Sequence, residues 1–384
     1  MHIYSHADLS NRHIQDQVSG AYLKGKLGAE SFKKVLTNYP SNLYTPNYFV
    51  RIAMGLLTMV AIIFSALLVV FMFLSTAKGA AMYVILAAIY YTGLELFVKQ
   101  KSYYNAGIDN LLMFFSAAFL IAGVAIYQDA PHNTIPAFVA IITCLYLSIR
   151  LVDGFMAVLA FVSFLIFVFL VYTRFGNLAK ATAPLLLTAI SVVVYLLIKK
   201  LLKRKKYVVY QFCFRSVLQV SLLTIYTCCN YFVVKEISNE MFGMGLSLNE
   251  SIPLGWLFWI LTFAIPIAYI AYGIARKDLM VIRTGLVLTA APVFTFRYYY
   301  HIMAVEIAML IAGTVLSVAS YLLIKYLKAA KGGFSFEKEA DANKERIDMK
   351  SLILAQVSGK EAKVDAGVEF GGGSFGSGGA GGNF

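Results

Sequence analysis

IAMGLLTMVAIIFSALLVVFMFL, residues 52–74, runs for 23 positions with no charge and a single glycine, Gly55. A hydrocarbon layer about 30 Å thick is crossed by roughly 20 apolar residues in a helix. This stretch is therefore read as a membrane span. Nine more runs of similar character follow it: Ala80–Val98, Leu111–Tyr127, Ile135–Ile149, Val152–Tyr172, Ala183–Ile198, Ser216–Val234, Leu254–Ala275, Leu279–Phe296 and Ile302–Leu327. The composition agrees, since 60% of the 384 residues are hydrophobic and only 14% are charged. An ordinary soluble domain carries roughly 25% charge. The expected fold is an all-α polytopic transmembrane bundle of about ten spans, with short connections and antiparallel neighbours. The boundary between the fourth and fifth runs rests on little more than Arg150.

The net charge of +13 invites a nucleic-acid reading, and the positions of the cations argue against it. With the N-terminus placed inside, 21 of the 33 Lys and Arg fall on inner segments and five on outer loops, Lys78, Arg174, Lys180, Lys235 and Arg297. That is the positive-inside bias of a membrane protein. Both termini are expected in the cytoplasm, in a multi-pass protein of the plasma membrane. The densest cluster is Lys199, Lys200, Lys203, Arg204, Lys205 and Lys206, at the inner end of the sixth run. Beside anionic lipid each such cation gains about 1 kcal/mol. No nucleic-acid module accompanies it, so lipid contact is the expectation.

Residues 1–51 form a short polar segment with no apolar signal core. Ala29–Leu36 favours a helical turn or two, ended by Asn38 and Pro40. The membrane domain spans 52–328 and a cytoplasmic tail 329–384. Glu337–Lys350 interleaves both charge signs and suits a short helix, whereas Gly367 onward is a low-complexity tether. Phe370, Phe375 and Phe384 are candidate contacts for a protein partner. The string Glu369–Phe384, together with the polar N-terminal stub, resembles uncharacterised bacterial polytopic inner-membrane proteins with Gly-rich, aromatic-ended tails. That resemblance implies a bacterial inner membrane and no chemistry.

Charges inside spans are costly and mark where to look first. Glu95 and Arg283 are expected about one turn from the inner ends of the second and ninth spans, at similar depth, and are expected to pair or each to face a cytoplasm-open cavity. Arg297 and Glu306 bracket the outer turn between the last two spans and form a second candidate pair. Tyr298, Tyr299 and Tyr300 beside them read as an aromatic belt. Asp109 and Asp153 stand at inner helix starts, where the macrodipole stabilises a carboxylate. Ser221, Thr224, Cys228 and Tyr231 share one helical face of the seventh span, as a solute path or as interhelical hydrogen bonds.

Neither the five histidines nor the four cysteines make a metal-ligand pattern, and no catalytic or phosphate-binding motif occurs. No cofactor is expected. A non-catalytic scaffold, assembly or sensor protein is the first reading. A secondary transporter of a small solute is the second and an intramembrane enzyme the third. Transport would be marked by a mid-membrane cavity reached from one side, and a scaffold by a tight bundle whose buried charges satisfy one another.

Overall fold

The structure is a computed structural model that describes residues 3–300, apart from 24–26, 74–78, 129–132, 244 and 248–249, together with separate positions between 307 and 325. Among the described residues every extended element is helical. The only β pairing among them is an isolated bridge between Tyr44 and Tyr103. The tail beyond 325, Glu306 and most of the expected tenth span Ile302–Leu327 lie outside the described residues.

Two compact units emerge. In the smaller, the end of α1 (His6–Leu23) and α2 (Ala29–Asn38) are joined by a stacked Tyr22–Phe32 pair at 4.7 Å. The larger unit takes in the first fourteen residues and everything from Tyr39 to the last spans.

Among the described residues nine segments are long and apolar enough to cross a membrane. The first is α3 (Tyr48–Phe73), followed by α4 (Gly79–Lys101), α5 (Ile108–Gln128), α6 (Thr134–Leu151), α7 (Gly154–Tyr172) and α8 (Asn177–Leu201). Next come α9 (Gln211–Thr227) and α11 (Gly255–Arg276), with the short α10 (Tyr231–Phe242) between them. The last described segment is α12 (Leu279–Leu288) continued by α13 (Ala290–Tyr300), with a bend at Thr289 ahead of Pro292. Large apolar side chains stay uncovered along these helices: Leu57 is 73% exposed and Phe71 82%. Monomeric soluble proteins do not display such continuous apolar surface. The chain is an integral, multi-pass membrane protein.

Consecutive helices pack as hairpins: α4 on α5, α6 on α7, α8 on α9 and α11 on α12, with α7 against α9 joining the pairs. The core of the first half collects Leu86, Tyr90 and Leu94 of α4 with Met113 and Ala117 of α5 and Cys144 and Leu147 of α6. Small residues bring backbones together where apolar burial alone does not drive association in lipid. A Cβ on Gly273 would sit 2.6 Å from the Ile282 side chain, and one on Gly154 2.6 Å from the Phe212 ring.

The uncertain boundary at Arg150 is a true reversal. α6 ends at Leu151, Val152 adopts the left-handed conformation (φ 55°), and the Asp153 side chain accepts from Met156 N at 2.8 Å to start α7. The seventh span departs from the expected Ser216–Val234. Its helix stops at Thr227 and a new one starts at Tyr231, capped by Asn230, whose side chain accepts from Val233 N at 3.2 Å. Neither Gly nor Pro is needed for this break. An Asn that can accept a first-turn N–H suffices.

Hydrogen bonds and ion pairs define one end of the bundle. Ile3 N donates to Arg150 O, the Tyr4 hydroxyl to Tyr103 O at 2.8 Å and the Tyr210 hydroxyl to Ile149 O, while Lys199 meets Asp278. Arg150 and the ends of α8 and α11 therefore gather at this cation-rich end. Asn230, Thr295 and Trp259 gather at the other, where the Asn230 amide bonds Thr295 and the Tyr231 ring stacks on Trp259.

Candidate functional site

Glu95 makes three polar contacts within the bundle. Its Oε1 accepts from Arg150 Nε at 2.5 Å and from the Tyr91 hydroxyl at 2.8 Å, and its Oε2 lies 3.1 Å from Lys99 Nζ. The Tyr91 and Tyr146 hydroxyls share a 2.7 Å bond, and the Arg150 guanidinium lies over the Tyr146 ring at 6.0 Å. The partner of Glu95 is thus Arg150 and not Arg283, as depth alone had suggested. Arg283 sits exposed on α12, which packs on α11, α9 and α13, and it makes no ion pair among the described residues. Two charges at equal depth pair only if their helices are neighbours. Arg297 is half-buried, and its expected partner Glu306 lies outside the described residues.

Next to this cluster the N-terminal segment covers two carboxylates. Asp109 is buried and accepts from Asn105 N at 2.7 Å and Ala106 N at 2.8 Å. Asp153 caps α7, and burial pushes its carboxyl above the usual carboxylate range. Tyr4 is also buried there, and desolvation, with Asp109 and Asp153 adding to it, pushes its phenol up. A small cavity of about 10 Å³ lies among Tyr4, Asp109 and Asp153. Asp153 takes the helix-start role expected of it, whereas Asp109, in the first turn of α5, ties down the loop N–H groups just ahead of that helix.

The supposed polar stripe does not form a single face. Ser221 is buried and donates to Leu218 O, and Thr224 donates to Val220 O, so both hydroxyls return to their own helix. Cys228 falls in the break and Tyr231 on the next helix. The break itself is a buried polar node. Asn230 Nδ2 donates to the Tyr226 hydroxyl at 3.0 Å and to Thr295 Oγ1 at 3.1 Å. Tyr231 N donates to Thr262 Oγ1 at 2.9 Å, and Thr262 in turn to Phe258 O. Among the described residues no group of three His, Cys, Asp or Glu is placed to hold a metal ion.

Sequence reasoning counted Lys235 only as an outer-loop cation. It is 1% exposed and donates to Ser247 O at 2.8 Å and Glu250 O at 2.7 Å. Its ammonium lies 4.9 Å from the Tyr299 ring centre and 6.0 Å from that of Tyr231, which stacks on Trp259. Burial pushes it below the usual lysine range. Tyr299 is therefore a packing partner and not a belt residue, whereas Tyr298 and Tyr300 are exposed. The Tyr299 hydroxyl is buried with no hydrogen-bond partner among the described residues.

In the basic run, Lys199 turns to Asp278 Oδ2 at 3.4 Å and the Tyr195 hydroxyl at 3.1 Å, while Lys200, Lys203 and Arg204 are exposed. The side chains of Lys205 and Lys206 lie outside what the structure describes. Comparison with protein-family models, with curated proteins and with solved structures finds no match for the chain.

Proposed function

We propose that this is a non-catalytic membrane scaffold, assembly or sensor protein of a bacterial inner membrane, with its cation-rich end and both termini in the cytoplasm. The observation that carries the reading is the closed circle around Glu95, in which the carboxylate accepts from Arg150 and Tyr91 and meets Lys99. A solute pathway needs charges that are free to exchange partners, and here they are spent on one another. The return of Ser221 and Thr224 to their own backbone points the same way. The cation asymmetry along the chain supports the orientation. The tail beyond 329 is the segment offered to a protein partner.

A secondary transporter is the second reading, and one observation favours it. Discontinuous helices commonly border transport sites, and the break between α9 and α10 carries the buried node of Asn230, Thr262 and Thr295. Single cysteines at Ser221 and Thr224, in a background lacking all four native cysteines, separate the two. In sealed vesicles both positions are expected to resist a membrane-impermeant maleimide applied from either side. Labelling of either position would overturn the scaffold reading in favour of a water-filled path.

A further inference from the structure

At the cation-rich end an open cleft of about 850 Å³ lies between the end of α8, the start of α9 and the turn from α11 to α12. Five cations line it, from three separate parts of the chain: Lys199 and Lys203, Arg215, and Arg276 with Lys277. One carboxylate, Asp278, is present, and it is already committed to Lys199 and to Met280 N at 3.2 Å. We propose that this cleft is a binding site for a phosphate-bearing anion carrying two or more negative charges.

The arrangement differs from a basic run that merely anchors a helix. Lys199 and Lys203 of the basic run line the cleft, the described Lys200 and Arg204 do not, and Arg215, Arg276 and Lys277 are brought in by the fold. Lys199 is fixed in place, with its ammonium bonded to the Tyr195 hydroxyl and lying 5.3 and 5.5 Å from the Tyr195 and Tyr272 ring centres. Lys277 occupies a left-handed helix cap (φ 54°), its N–H bonded to Gly273 O and Ile274 O. Glycine is the residue usually found at such a cap. Two arginines supply the forked donors that suit phosphate oxygens. The N-terminus of α12 opens beside the cleft and adds a favourable dipole. The volume falls within the usual range for small-molecule sites. Exposed Leu279 and Tyr272 border the cleft, so an acylated phosphate can rest its chain there. A lipid head group and a soluble phosphate compound share the required chemistry.

The test uses the full-length protein in nanodiscs of zwitterionic phosphatidylcholine. Pyrophosphate is titrated in one arm. In the other, the fraction of phosphatidic acid in the disc is raised and retained lipid is counted by native mass spectrometry. The Arg215→Gln/Arg276→Gln/Lys277→Gln variant is compared with Lys101→Gln/Lys200→Gln/Arg204→Gln, which removes equal charge at exposed residues outside the cleft. The cleft variant is expected to lose at least about tenfold in affinity for one of the probes while the control stays within about twofold. Loss confined to phosphatidic acid assigns a lipid ligand, and loss confined to pyrophosphate assigns a soluble one. If the cleft variant unfolds, Lys203→Gln alone is read in the same way, with a loss of about threefold expected. Equal losses in cleft and control variants, or no saturable binding of either probe, would overturn the site.

Discussion

Arg150 Nε donates to Glu95 Oε1 across a sequence separation of 55 residues, tying the last turn of α6 to α4. Both side chains are largely buried, at 26% and 15% exposure, whereas Lys99 on the other oxygen is 61% exposed and contributes little. Removing one partner leaves a charge stranded in a low-dielectric bundle. Glu95→Gln and Arg150→Met are each expected to cost about 3 kcal/mol. The double variant should cost less than the sum, because the stranded charge is gone. Reversible unfolding in detergent checks this, and additive losses would show that the two side chains do not interact.

This pair also marks how far the sequence could be read. Length and hydropathy located the first nine spans, because a helix across lipid needs a long apolar run whatever its neighbours are. A charge within an apolar run could be read as well, which is why Glu95 stood out. Adjacency could not, since nothing in the apolar pattern of α4 distinguishes α6 from α12 as a neighbour. Arg150 looked like a boundary residue because it lies two positions from the reversal at Val152. The broken seventh span was hidden for a related reason. Apolar character continues through Cys228 and Cys229, and only Asn230, a strong helix-capping type followed by four apolar residues, signalled a restart.

Asn230 is held on both faces, as a cap for α10 and as a bridge from Tyr226 to Thr295. Asn230→Ala removes the cap, worth about 1 kcal/mol, and leaves a buried Thr295 hydroxyl without its partner, worth about 1–3 kcal/mol more. Asn230→Asp keeps the cap and places an uncompensated charge in a 3% exposed site. Both variants are expected to lower the melting temperature, Asn230→Asp by the larger amount at neutral pH. A melt of Asn230→Ala matching that of the native chain would remove the node from the account of how α10 is held.

Close approach of α11 and α12 depends on two glycines facing opposite helices. A Cβ at Gly285 would lie 2.9 Å from the Ile270 side chain and 3.1 Å from Ile270 N, and at Gly273 it would lie 2.9 Å from Ile282 N. Backbone atoms cannot rotate away as side-chain ends do. Gly273→Val is therefore expected to cost about 2–3 kcal/mol by forced separation of the hairpin. Gly93→Val, where a Cβ within α4 meets nothing within 4 Å and no positive φ is involved, is expected to be mild. Comparable loss at both positions, measured by thermal unfolding, would contradict a packing role for Gly273.

Lys235 gives a pH dependence whose sign can be worked out. Burial lowers its ammonium below the ordinary lysine value, so between the folded and ordinary values the unfolded segment binds more protons than the folded one. The stability contributed by this group is complete above the ordinary value, near 10.4, and is lost as pH falls through the folded value. Lys235 bonds the carbonyls of Ser247 and Glu250, so the effect should be local to the segment between α10 and α11. Amide exchange at residues 246–252, corrected for the intrinsic pH dependence, should show protection rising as pH is raised from neutral towards 10. In Lys235→Met nothing titrates at this position, and the Ser247 and Glu250 carbonyls lose their donor. That variant should show weaker protection throughout, with no rise. A rise of equal size in Lys235→Met would place the titrating group elsewhere.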